Sequence, residues 1–312
     1  MKKWDSIYKY HLFSIFAICL SCVLIYSNTL KSPFVFDDVP NITRNPHTRI
    51  TKLDIHQLYD AGFKSPLSNR PVANISFALN YYSGKLNVKG YHIVNIAIHL
   101  INGILVYFLL LVLFQQAAHL PDQNIPQFSG ISLPSAALFS ALIFITHPIQ
   151  VHSVTYIVQR MNSLAVMFYL LSLLLYIHGR LTRMPWKRRA LFAGCIIAGI
   201  LALGSKEISG TLPMIILLYE WYFFRDLKTD WLGYYKKYIF GFLIVMSLVA
   251  AFYLGENPLN RILSSYANRE FTLAERVLTQ FRVVVFYLGI LMLPHPSRLN
   301  LLHHFTTSHA LF

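Results

Sequence analysis

Charge is the scarcest ingredient of this chain. Only 13% of its 312 residues are Asp, Glu, Lys or Arg, while 55% are hydrophobic; a soluble domain carries roughly a quarter charged residues. That balance excludes an ordinary soluble globule and describes a membrane protein. Acidic residues are scarcer still, 13 against 27 Lys and Arg, for a formal net charge of +14. In a soluble chain such an excess points to nucleic acid, because clustered cations neutralise phosphates. Here the bases flank apolar runs, so the predicted partners are membrane lipids and not nucleic acid. Cysteine is nearly absent. Its three copies, Cys19, Cys22 and Cys195, each sit in an apolar run, which indicates neither a disulfide framework nor a zinc site. The C-x-x-C of Cys19 and Cys22 has no βαβ pattern beside it and reads as inert thiols. Also missing are a nucleotide-binding Gly-rich loop, a low-complexity linker and an internal repeat at solenoid spacing. Residues 1–312 therefore read as one transmembrane domain.

What is abundant is apolar sequence long enough to cross a bilayer, which takes about 20 residues per helix. Candidate spans centre near residues 20, 103, 141, 170, 197, 216, 246 and 287. The expected fold is an all-α polytopic helical protein of about eight spans. The first run follows Lys2, Lys3 and Lys9 without a small-x-small cleavage site, so it reads as an uncleaved anchor with a cytoplasmic N-terminus. Residues 179–189 and 225–237 then also face the cytoplasm, each with four or more Lys or Arg, as the positive-inside rule requires. Residues 29–91 form a long first external loop, itself basic, which the rule tolerates because long loops translocate regardless of charge. The last candidate, Phe281–Leu293, either crosses or lies at the interface beneath the amphipathic stretch FTLAERVLTQF. No polar tail follows it, which predicts that the chain is the N-terminal part of a longer protein. The expected location is a bacterial inner membrane, or the endoplasmic reticulum in a eukaryote.

Several polar groups break the apolar pattern. After the first span, SPFVFDDVPNITRNP sets Asp37 beside Asp38 among Phe34, Val35, Phe36 and Val39. Burial and mutual repulsion raise such carboxyl pKa values, and the pair can act as a general base or hold a divalent cation. A helix cap or turn is the plain alternative, since Asp before Pro and Asn favours both. His92, Asn95, His99 and Asn102 recur at helical spacing and share one face of the second span. Metal binding is conceivable there, but interhelical hydrogen bonding is the commoner use of polar residues in membrane bundles. THPIQVHSVTYIVQRMNS between the third and fourth spans holds His147, Gln159, Arg160 and Asn162. Arg160 either snorkels or offers a planar guanidinium to a phosphate. Lys206 and Glu207 interrupt the apolar stretch before the sixth span, where ionisable residues are costly and often functional. They pair with each other, or Glu207 holds Arg160. Arg70, in the NRP turn, and the histidines His303 and His304 of SRLNLLHHF complete the outer set. A one-sided set of carboxylates and cations beneath a long loop suits an anionic lipid substrate.

Taken together, FDD after the first span, NRP followed by GYHIVNIAIHL, HPIQ with TYIVQRMN, and SKE before the sixth span resemble the tetratricopeptide-linked transmembrane O-mannosyltransferases and their bacterial relatives. That group belongs to the GT-C glycosyltransferases, which take sugar from a polyprenyl-phosphate carrier at the outer membrane face. The resemblance runs from about residue 28 to the end. It implies a mannose-like sugar moved by an inverting reaction to a hydroxyl of a protein or glycan acceptor. Asp37 or Asp38 would be the catalytic base, with Asp37 favoured. Gln159, Arg160, Lys206, Glu207, Arg70 and His147 would contact the carrier phosphate, the sugar or the acidic pair. No cofactor is implied beyond a possible divalent cation. Two departures stand out: His304 occupies a position where an acidic residue is expected, and no tetratricopeptide array is present in the sequence. A lipid-linked sugar flippase or a non-catalytic envelope scaffold would also place charge between spans. The clustering of motifs on one face, without inverted repeats, favours an enzyme.

Overall fold

This computed structural model describes residues 2–118, 132–231 and 271–299, with residues 306–308 and scattered positions between 233 and 269. The described residues are mostly helical, with no strand among them. They fall into two compact units, Met1–Phe224 and Arg225–Phe312.

The first unit is built on α1 (Lys2–Tyr26), α4 (Val88–Ala117), α5 (Leu133–Thr146), α7 (Arg160–Leu181) and α8 (Pro185–Leu203). Between α1 and α4 come α2 (Ile55–Phe63) and α3 (Pro71–Gly84), so the segment expected as a loop carries two helices of its own. Helix starts follow the local chemistry. The side chains of Asn87 and Ser132 accept from Lys89 N and Ser135 N, and Pro71 and Pro185 open α3 and α8, where a missing N–H costs nothing. α5 ends because His147 precedes Pro148, which bars the α conformation; His147 is extended, at φ −63° and ψ 128°. The chain bends there by 49° into the short α6 (Val151–Thr155).

Three stretches are long and apolar enough to cross a membrane: Tyr8–Lys31, Val88–Ala117 and Ile157–Leu181; α5 with its bent continuation makes a fourth. They coincide with the expected spans near 20, 103, 170 and 141. The stretch near 197 is α8, which begins with Lys187, Arg188 and Arg189 within its first turns. That near 216 is α9 (Leu212–Tyr219), only eight residues before a π-turn, Glu220–Phe224. The span expected near 246 lies outside the described residues. In the second unit, α10 (Leu273–Met292) begins with a capping box, Thr272 with Glu275. The amphipathic stretch and the last apolar run are therefore one helix, not two elements.

The helices pack through small residues and a polar ladder, as expected where lipid is no less apolar than Leu. α1, α4 and α5 meet around Ile18, Cys22, Tyr107, Ala137, Ala141 and Ile145. Gly103 admits this contact: a Cβ there would lie 2.7 Å from Ile145 Cδ1 and 3.2 Å from Ile18 Cγ2. The polar face of α4 is buried and serves packing. His92 Nε2 bonds Ser32 O (2.9 Å), His99 Nε2 bonds Ile145 O (3.1 Å), and Asn102 donates to Ser163 O (3.0 Å). Asn95 donates to Val154 O and Ile157 O. Four neighbouring backbone segments are thereby tied to one helix.

Candidate functional site

The C-terminal ends of α1, α5 and α8 and the N-terminal ends of α4 and α7 converge on one end of the first unit. The node of that end is the strap Tyr156–Met161, which the His147–Pro148 bend delivers to the top of α7.

The acidic pair is divided by the strap. Asp38 is fully enclosed, with Oδ2 accepting from Val35 N (3.0 Å) and Oδ1 from Val158 N (2.7 Å). Asp37 is exposed. Its backbone is held at both polar atoms: the N–H donates to the Tyr156 hydroxyl (2.9 Å), and Asn41 Nδ2 donates to its carbonyl (2.8 Å). The resemblance favours Asp37 as the base, but nothing in the residues themselves separates the two carboxylates. Backbone amides distinguish them, tying one down and leaving the other facing outward.

Burial pushes the Asp38 carboxyl up to about 6; the Val35 and Val158 amides oppose the rise, the Asp37 charge adds to it, and Arg160 works against it. Because the folded protein holds this proton more tightly than the unfolded chain, the associated stability is full below about pH 4 and is lost as pH rises through about 6. We expect the melting temperature to fall between pH 4 and 7 more steeply in the native protein than in Asp38→Asn. Asp38→Ala, which removes both acceptors, should be less stable than Asp38→Asn by about 1–3 kcal/mol at pH 7, because Val35 N–H and Val158 N–H both lose their partner. Thermal unfolding across that range checks both effects.

Arg160 is fully buried. Its Nε donates to Asn95 Oδ1 (2.7 Å), Nη1 to Ser76 O (3.2 Å) and Nη2 to Tyr91 O (2.9 Å). The guanidinium carbon also lies over the rings of Phe77 (4.7 Å) and Tyr91 (5.6 Å). Its charge is enclosed by α3 and α4, with no surface turned toward a ligand. Gln159 accepts from Asn162 Nδ2 (2.7 Å) beside it.

Glu207 pairs neither with Lys206 nor with Arg160. It takes Arg70 in a bidentate contact, Nε to Oε1 (3.2 Å) and Nη2 to Oε2 (3.1 Å), and Asn69 Nδ2 donates to the same Oε1. The pairing follows from a close backbone approach: Val72 N donates to Gly204 O (2.9 Å), and a Cβ on Gly204 would meet Val72 Cγ2 at 2.8 Å. Glycine there lets the start of α3 reach the end of α8. Burial raises the Glu207 pKa, but the Arg70 hydrogen bonds, its own backbone amide and the two cations outweigh that and hold it below the ordinary value. Lys206 is half-buried, its pKa lowered by burial and by Arg70 against the pull of Glu207. Arg70 Nη1 also reaches Met161 Sδ at 3.4 Å. The acidic pair and the Arg70–Glu207–Lys206 group are thus joined through the strap, three residues apart at Val158 and Met161.

His147 is part of the bend, its Nδ1 accepting from Ile149 N (3.1 Å). His303 and His304 lie outside the described residues. Among the described residues, no group of three or more His, Cys, Asp or Glu side chains is placed to hold a metal ion. Two features went unread in the sequence. Tyr156 lies inside TYIVQRMN, where nothing in the sequence marks its hydroxyl. At the opposite end of α7, Arg180, taken for a loop base, forms a bidentate pair with Glu220 (2.8 and 3.0 Å), completed by the Tyr176 hydroxyl (2.7 Å).

No protein-family model matches the chain, and no solved structure matches it. Curated proteins do. The protein O-mannosyl-transferase Tmtc3 of Drosophila melanogaster is 28% identical over 234 residues, 70% of this chain and 25% of that protein. The protein O-mannosyl-transferase TMTC2 of Homo sapiens is 30% identical over 215 residues, 65% of this chain and 23% of its own length. The protein O-mannosyl-transferase TMTC4 of Homo sapiens is 30% identical over 162 residues, 49% of this chain and 21% of its length. The chain therefore spans about a quarter of the length of the curated relatives it matches. The resemblance carried by FDD, NRP, HPIQ, QR and SKE is borne out: this membrane protein is a relative of the TMTC-type protein O-mannosyl-transferases.

Proposed function

We propose that the chain is the membrane core of a GT-C-type glycosyltransferase of about eight spans, which moves a mannose-like sugar from a polyprenyl-phosphate donor to a hydroxyl of an acceptor protein. The N-terminus is cytoplasmic, and the reaction takes place at the outer or luminal face. One observation carries the proposal: an exposed carboxylate, Asp37, stands at the same end of the bundle as the half-buried Lys206 and Arg70. The names of the relatives supply the reaction class.

In this mechanism Asp37 takes the proton of the acceptor hydroxyl as that oxygen attacks the anomeric carbon. The bond from that carbon to the phosphate oxygen breaks on the opposite face, inverting the configuration, and the polyprenyl phosphate leaves with the electron pair. Lys206 meets the negative charge that develops on it, where a fixed cation lowers the barrier most. Arg70, oriented by Glu207 and Asn69, adds to that field. Arg160, suggested for this role by its position in the sequence, instead holds α7 to α3 and α4. Asp38 fixes the turn that carries Asp37.

Lys206→Met tests the donor end of the scheme. With polyprenyl-phosphate mannose as donor, the variant should transfer about 10- to 100-fold more slowly at unchanged acceptor KM. Transfer at the native rate would remove Lys206 from the reaction.

A further inference from the structure

Phe36 has φ 45°, in the left-handed region that large side chains rarely occupy. Such a conformation persists only where its surroundings over-determine it, and it tends to occur where a group must be aimed. The constraints here are identifiable. On one side, Asp38 is anchored through both carboxylate oxygens to Val35 N and Val158 N. On the other, the Tyr156 hydroxyl accepts from Asp37 N–H (2.9 Å), and the Tyr156 ring meets Phe36 edge-on, centroids 6.5 Å apart at 82°. Asn41 takes up the Asp37 carbonyl.

Tyr156 is itself fixed independently of the turn it holds. It is 8% exposed, its N–H donates to His152 O (3.3 Å), and its carbonyl accepts from Gln159 N (3.0 Å). The ring therefore stands as a post set by the α6 break, with its hydroxyl directed at the one residue of the acidic pair whose side chain faces outward. We propose that Tyr156 is a positioning residue for Asp37: its hydroxyl pins the Asp37 amide, holds Phe36 in the left-handed conformation and so aims the Asp37 carboxylate at the acceptor hydroxyl. This rests on the reading of Asp37 as the base. Removing the hydroxyl leaves the Asp37 N–H without its acceptor, and the turn is free to relax.

The test is Tyr156→Phe in the full chain in membranes, with polyprenyl-phosphate mannose as donor, alone and combined with Asp37→Asn. A fall in kcat of about 10- to 100-fold at unchanged donor KM is expected. In the Asp37→Asn background, the same substitution should leave the residual rate where it is. Hydrogen exchange supplies a readout that needs no activity: the peptide covering residues 34–39 should exchange faster in Tyr156→Phe, with peptides of α4 and α7 unchanged. Native kcat with native exchange would overturn the proposal, as would an equal loss in both backgrounds, which marks a purely structural role. If Asp37→Asn transfers at the full rate, the base assignment fails and this inference fails with it. Loss in Asp37→Asn with none in Tyr156→Phe refutes the inference alone.

Discussion

Asp37→Asn should lower sugar transfer by about 10²- to 10⁴-fold, the range lost when a positioned general base is removed. Stability should move by no more than about 0.5 kcal/mol, because the side chain is exposed and both backbone polar atoms keep their partners. Initial rates with saturating donor, set beside a thermal unfolding curve, separate the two effects. The combination of a dead enzyme with an intact fold is the signature expected of Asp37 and not of Asp38. Replacement of Asp38 strikes the two amide contacts that hold the turn, so its loss of rate should come with a loss of stability.

Arg160→Met is expected to have the largest structural effect. It leaves Asn95 Oδ1 without its donor, takes a second hydrogen bond from the helix carbonyls Tyr91 O and Ser76 O, and removes the cation from the Phe77 ring. A buried acceptor left alone costs about 1–3 kcal/mol, and the lost ties between α7, α3 and α4 add to it, a large share of the roughly 5–15 kcal/mol of an ordinary protein. The expected result is loss of folded protein in detergent, read by size exclusion and thermal unfolding. A phosphate ligand would behave in the opposite way: the variant would fold normally and show a raised donor KM. That outcome would return Arg160 to the donor site and require a conformation in which its guanidinium leaves α4.

The polar face of α4 was legible because His92, Asn95, His99 and Asn102 recur at helical spacing in an apolar run, where each must find a partner inside the bundle. Which partner was not legible. Their acceptors are backbone carbonyls on other segments, and carbonyls have no letter in a sequence. Glu207 shows the same limit for side chains. Arg70, Arg160 and Lys206 were all cations it could have taken, and the one it holds lies 137 residues away in sequence, brought near by the Gly204–Val72 approach. Burial of Arg160 was hidden for a related reason: an arginine at a helix start reads the same whether it faces lipid headgroups, a ligand or the interior. The acidic pair is legible, since two adjacent carboxylates beside a span are rare and costly. Their division into a buried anchor and an exposed carboxylate depends on Val35, Val158 and Tyr156, two of which act only through backbone atoms. The apolar stretches near 20, 103, 141 and 170 are legible because hydropathy and length suffice to mark a candidate span. The segment 29–91 hid α2 and α3 because their apolar content is broken by polar turns.

The most direct test of the central claim is a donor comparison. Membranes containing the full chain are supplied with radiolabelled mannose either as polyprenyl-phosphate mannose or as a nucleotide sugar, and label is counted in protein after a base-stable wash. The account predicts label from the lipid donor, none from the nucleotide sugar when lipid-donor synthesis is blocked, and loss of the signal in Asp37→Asn. Label passing directly from the nucleotide sugar, or undiminished transfer from the lipid donor in Asp37→Asn, would contradict it.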